Sequence, residues 1–114
     1  MAVWGRTGAV RWLDSTGPLV SPALTGSTWD APVVSLDAGD HVLLYTDGAW
    51  DTLADDDGRA EQRLQAAIAQ APEGGAALLD AILADVYRQL HGRPQPDDIT
   101  LMTATVLPPW RTSD

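Results

Sequence analysis

No cysteine, lysine or phenylalanine occurs in the 114 residues. Without cysteine there can be no disulfide, no thiolate metal site and no thiol nucleophile. Without lysine all seven basic residues are arginine, and with no phenylalanine either, the bias fits a GC-rich coding sequence rather than an activity. No apolar run approaches the roughly 18 residues that a membrane span requires. The first residues, Met-Ala-Val-Trp-Gly-Arg, show no charged start followed by an apolar stretch, so a secretory leader is not expected and a cytoplasmic protein is. Positive charge is scarce as well. A net charge of −9 disfavours nucleic acid and anionic membranes as partners, because phosphate groups demand a basic surface.

What is abundant is aspartate, at fourteen of the sixteen acids. Aspartate is a poor helix former and a good cap, turn and hard-metal residue, so most of these side chains are expected to cap helices and fill turns. Apolar residues make up 45% of the chain, enough to bury a core. The length suits one domain or part of one.

Two short apolar stretches, Val3–Arg6 and Ala9–Leu13, flank Thr7-Gly8 and predict a β-hairpin. The stretch from Asp14 to Ala31 is rich in Gly, Pro, Ser and Thr and reads as a surface loop. Pro32–Leu36 and His41–Thr46, joined by a turn at Asp37–Asp40, predict a second hairpin whose second strand is buried. Ala60, Leu64, Ala67, Ile68 and Ala71 share one helical face. A second helical stripe runs through Leu78, Leu79, Ile82, Leu83, Val86, Tyr87 and Leu90, with stops at Gly92 and Pro94. Ile99–Val106, rich in threonine, predicts a last strand. Strands and helices come in blocks, which argues for an α+β fold: an antiparallel sheet with an antiparallel helix pair on one face. The domain is expected over residues 1–107, with 108–114 a tail.

Two acidic turns could carry chemistry. In Leu43-Leu44-Tyr45-Thr46-Asp47-Gly48 an apolar strand runs directly into Asp-Gly. In Pro96-Asp97-Asp98-Ile99-Thr100-Leu101 the carboxylates stand at the entrance to a strand. If these strands are neighbours, Asp47 and Asp97 meet at one rim of the sheet. Hard cations such as Mg²⁺ or Mn²⁺ take such oxygen ligands, few from the protein and the rest from water. Each motif alone is a common turn.

Other patterns lead away from chemistry. A calcium loop centred on Gly58 would need acids where Leu53 and Leu64 stand. His41 and His91 read as a strand residue and a helix C-terminal residue. No Gly-x-Ser-x-Gly elbow or Walker-type loop occurs. Of the five tryptophans, Trp12 and Trp50 are assigned to the core, while Trp29 and Trp110 fall in loop-like or terminal stretches.

The run Leu-x-x-Gly-Asp-x-x-Leu-Leu-Tyr-Thr-Asp-Gly-x-x-Asp, ending at Asp51, resembles the signature of SpoIIE-type phosphatases of the metal-dependent PPM superfamily. Asp97-Asp98-Ile99-Thr100-Leu101 resembles that family's second signature, one helix pair later. Val10–Leu19 is also similar to its hairpin and glycine-proline loop. The resemblance implies the C-terminal portion of an αββα sandwich. It implies a protein serine/threonine phosphatase using two Mn²⁺ or Mg²⁺ ions, with Asp47 and Asp97 ligating one of them. Asp98 is expected to support the turn and Asp51 to be structural. Family substrates are phosphorylated regulatory proteins of the anti-sigma-factor-antagonist type, in bacterial signalling.

The family pattern also has an earlier segment, in which a Gly-Asp motif bridges the metals and a Gly-His-Pro-Pro motif follows. The chain begins where that segment would have ended. The bridging carboxylate is therefore expected to be missing, at most one metal to bind, and the chain alone to be inactive. The alternative is a non-catalytic remnant or protein-interaction module. In either case an uncovered apolar sheet face is expected to drive self-association.

Overall fold

A computed structural model describes residues 1–13, 34–54, 57–95 and 97–109. The expected loop over 14–31, Trp29, Trp110 and most of the tail lie outside them. Four strands, β1 (Ala2–Trp4), β2 (Val10–Trp12), β3 (His41–Tyr45) and β4 (Leu101–Thr105), accompany three helices, α1 (Asp47–Ala54), α2 (Ala60–Gln70) and α3 (Gly75–Leu90). The sheet order is β2-β1-β3-β4, antiparallel throughout, so the α+β architecture with an antiparallel sheet holds.

The first hairpin forms as the Thr7-Gly8 turn suggests. Gly8 takes a positive φ of 77°, and Ala2 pairs with Trp12, Val3 with Arg11 and Trp4 with Val10. The second hairpin does not form. Residues 34–37 are irregular, and Pro32 and Val33 lie outside the described residues. The reason is competition: β3 has β1 on one edge and β4 on the other, leaving no free edge for the segment before it. The Asp37–Asp40 turn is instead tied to the end of β4, through Gly39 N donating to Val106 O at 2.8 Å and Val106 N to Asp40 O at 2.8 Å.

Side-chain alternation gives the sheet two unlike faces. Ala2, Trp4 and Leu43 point into the core and are almost fully buried. Leu44 and Met102, opposite each other in the register, point the other way and are 42% and 57% exposed. The expectation of a fully buried β3 is therefore corrected: Leu44 is exposed, while Val42 on the same face is half-buried beside the buried Val3.

The helices supply the rest of the core. α2 contributes Leu64, Ala67 and Ile68, and α3 contributes Leu78, Ile82, Val86 and Leu90, all buried on one side as their spacing requires. Tyr87, placed in that stripe by spacing, is 66% exposed at its edge. The three helices pack on one another, and α3 packs on β4.

Trp4 joins sheet and helices. Its ring stacks on His41 with centroids 5.3 Å apart, and its Nε1 donates to Pro72 O at 2.8 Å in the α2–α3 turn. Gly74 closes that turn with φ 69°. A Cβ there would lie 3.0 Å from Thr103 Oγ1, so space and backbone both select glycine.

Candidate metal site

The rim of the sheet that carries both acidic turns is built around Thr46. Its N–H donates to Thr100 O at 3.2 Å, continuing the β3–β4 ladder by one pair. Its Oγ1 accepts from Thr100 N at 3.0 Å and lies 3.4 Å from Asp98 O, to which it donates. Its carbonyl accepts from Ala49 N at 3.1 Å and Trp50 N at 3.4 Å, the opening bonds of α1. One threonine thus ties the end of β3, the start of α1 and the approach to β4 together.

Asp47 is the first residue of α1 and is exposed. A carboxylate here stands at the unpaired N–H groups of the helix start. Gly48 follows and is buried. A Cβ on Gly48 would collide with the Asp98 carbonyl oxygen and lie 3.4 Å from the Asp97 Cβ. The backbone at Asp97-Asp98 therefore rests directly on the first turn of α1, beside Asp47. Asp97 is exposed; its Oδ1 accepts from Asp98 N at 2.8 Å and its carbonyl from Gln95 Nε2 at 2.6 Å. Asp51, one turn beyond Asp47 on α1, is exposed too.

Aromatic packing holds α1 to the sheet. Trp50 stacks on Tyr45, with centroids 5.7 Å apart and planes at 15°, and meets Trp12 edge-on at 6.1 Å. Trp12 and Trp50 are partly buried against the core, as their assignment to it requires, although Trp4 is the most deeply buried of the described tryptophans. At the far end of α1, Arg63 donates to Leu53 O at 2.5 Å and grips Asp57 with bonds of 2.8 and 2.6 Å. This arginine, with a further bond from Arg59 N, lowers the Asp57 carboxyl from 3.8 to about 2. Asp57 is thereby engaged in closing the α1–α2 turn, in keeping with a helix-entry role.

Sequence reasoning placed Asp47 at the strand end but missed the helix that starts there. Thr46 in the N-cap position, an acid in the first turn and apolar Ala49, Trp50 and Leu53 were the available signals. Gly48 and the eight-residue length obscured them. Nothing in the local sequence marks Thr46 as the tie between the two motifs.

As a donor set, a carboxylate from each of the two turns would suit a single hard divalent ion that keeps most of its waters. Among the described residues no group of three or more His, Cys, Asp or Glu side chains is disposed to hold a metal ion. Asp47 and Asp97 would be the donors for one such ion on this rim, and two carboxylates do not by themselves make a two-metal centre.

Residues 1–107 match the family model described as stage II sporulation protein E, SpoIIE. No curated protein and no solved structure gives a significant match.

Proposed function

The chain belongs to the SpoIIE family, and from that membership we propose that it is the half of a metal-dependent protein serine/threonine phosphatase that supplies Asp47 and Asp97 as ligands of one Mn²⁺ or Mg²⁺. The family makes it a region related to PPM-type phosphatases. The observation that carries the reading is the seating of Asp97-Asp98 on Gly48, which sets both acidic motifs on one rim.

An ion bound there supplies charge to the phosphoryl oxygens and a deprotonated water as nucleophile. The protein residues hold the geometry. Thr46 fixes the spacing between the two turns, Gly48 lets them approach, and Trp50 keeps α1 from swinging away. The substrate is a phosphoserine or phosphothreonine on a regulatory protein, of the anti-sigma-factor-antagonist type that the family resemblance implies. Bacterial signalling and a cytoplasmic setting belong to the same proposal; among the described residues no helix is long and apolar enough to cross a membrane. Turnover needs further carboxylates to complete a two-metal site, so the 114-residue chain alone is expected to be close to inactive.

A second reading, an interaction module without catalysis, draws on the lack of a third metal-disposed side chain among the described residues. Calorimetric titration with Mn²⁺ separates the two. Binding that weakens at least about tenfold in both Asp47→Ala and Asp97→Ala, and holds in Asp51→Ala, is the expected result. Absence of binding to the unmodified chain, or equal binding to all variants, would favour the interaction module.

A further inference from the structure

The two edges of the sheet are managed very differently. β2, at one edge, has three residues and carries Arg11 at its centre. β4, at the other, has five residues, Leu-Met-Thr-Ala-Thr, with no charge, no proline and no glycine. Proteins usually blunt an edge strand with charge, proline or a bulge, because its unpaired backbone groups are a template for another strand. β4 has none of these devices, in a chain whose net charge of −9 offers ample acid to place there.

The register says which backbone groups are unpaired. Thr46 N bonds Thr100 O, and Val106 N bonds Asp40 O. In an antiparallel ladder paired positions alternate, so Met102 and Ala104 also direct their N–H and C=O to β3. Leu101, Thr103 and Thr105 therefore turn theirs outward, six groups in all. Among the described residues no backbone bond reaches them. Pro108 and Pro109, just past the strand, have no N–H to offer.

These three residues are self-complementary. A two-fold axis through Thr103, perpendicular to the sheet, sets Thr103 against Thr103 of a second copy and Leu101 against its Thr105. Every outward group then finds a partner, and the cross-strand pairs are Thr–Thr and Leu–Thr, with no like charges opposed. On the other face Met102 comes to lie against Ala104, extending the exposed apolar row that Leu44 and Met102 begin. We propose that β4 is a homodimerisation edge, through which two copies of the chain join antiparallel into one eight-stranded sheet. The occupant is a second copy, on three grounds: the register closes on itself, the strand is neutral, and the opposite edge is guarded by arginine. A contact of one short strand per copy is small, so the dimer is weak, in the micromolar range or above.

The test is sedimentation equilibrium of the full chain from micromolar to millimolar concentration, with two variants. Thr103→Pro removes an outward N–H and no bond to β3, so it is tolerated at an edge. It should raise the dimer dissociation constant at least about tenfold while far-UV circular dichroism is unchanged. Thr103→Cys places the only thiols of a cysteine-free chain opposite each other, at the roughly 5.5 Å Cα spacing that a disulfide spans. Mild oxidation should give a covalent dimer much faster than with Ala69→Cys on the exposed side of α2. A chain that stays monomeric throughout overturns the proposal. So does a dimer that ignores Thr103→Pro and cross-links no better through position 103 than through 69, which would place the contact on another surface such as the Leu44–Met102 face.

Discussion

Replacing Gly48 by alanine sets two effects of opposite sign against each other. Gly48 lies in α1 with no positive φ, so the backbone itself does not call for glycine. At an ordinary helical position the change gains about 1 kcal/mol of stability from helix propensity. Here the new methyl would collide with the Asp98 carbonyl oxygen, and Asp97 Cβ is only 3.4 Å away. The obstacle is backbone pinned by the Thr46 hydroxyl, not a side chain that can swing aside. Overpacking of this kind costs about 1–3 kcal/mol. The net expectation is a loss of up to about 2 kcal/mol, centred on about 1 kcal/mol. With a urea slope of roughly 1–3 kcal/mol/M, a loss of about 1 kcal/mol lowers the denaturation midpoint by about 0.3–1 M. Unfolding followed by tryptophan fluorescence reads this directly, because Trp50 and Trp12 meet beside α1. Mn²⁺ affinity, measured on the same samples, should drop with it, since the Asp97 turn must move off α1. A Gly48→Ala protein that is as stable as its parent and binds Mn²⁺ equally well would refute the account of this rim.

The Asp57 carboxyl is depressed from 3.8 to about 2 by Arg63, so its stabilising effect is complete above pH 4 and is lost as the pH falls through 2. The melting temperature of Arg63→Met should therefore fall less steeply than that of the parent between pH 4 and 2, and parallel curves would remove Arg63 as the cause. His91 ends α3 in the left-handed region with φ 52°. His91→Gly should stabilise the fold by about 1 kcal/mol in thermal melts, and a destabilised variant would mean that the imidazole makes a contact worth more than the strain.

The parts legible in the sequence are those whose stability is local. The stripes of α2 and α3 and the Thr7-Gly8 hairpin each follow from spacing within a dozen residues. The juxtaposition of the two acidic turns was legible as a condition, that β3 and β4 be neighbours, and the register meets it. What stayed hidden depends on distant partners. Residues 34–37 have strand-forming character, but β1, about 30 positions earlier, holds the edge of β3 that they would need. α1 is short and contains glycine, and it is held in place by Tyr45 and Trp12 from two different strands. Local propensity cannot report a helix whose support is tertiary.

The strand order β2-β1-β3-β4 also sets a timetable for synthesis. β1 emerges before the other three strands and can close on β2 at once, but its other neighbour arrives only with residues 41–45. The α2–α3 pair can form next, from contacts between adjacent segments. β3 then waits for β4, since His41 pairs with Thr105, and the turn holding Asp97 emerges just ahead of that strand. At about 5–20 residues per second, seconds separate the emergence of Asp47 from that of Asp97. The rim that carries the two acidic turns is therefore assembled last among the described elements. Until then the nascent chain presents β3 with one edge open, a slow, non-local pairing of the kind that limits folding rate.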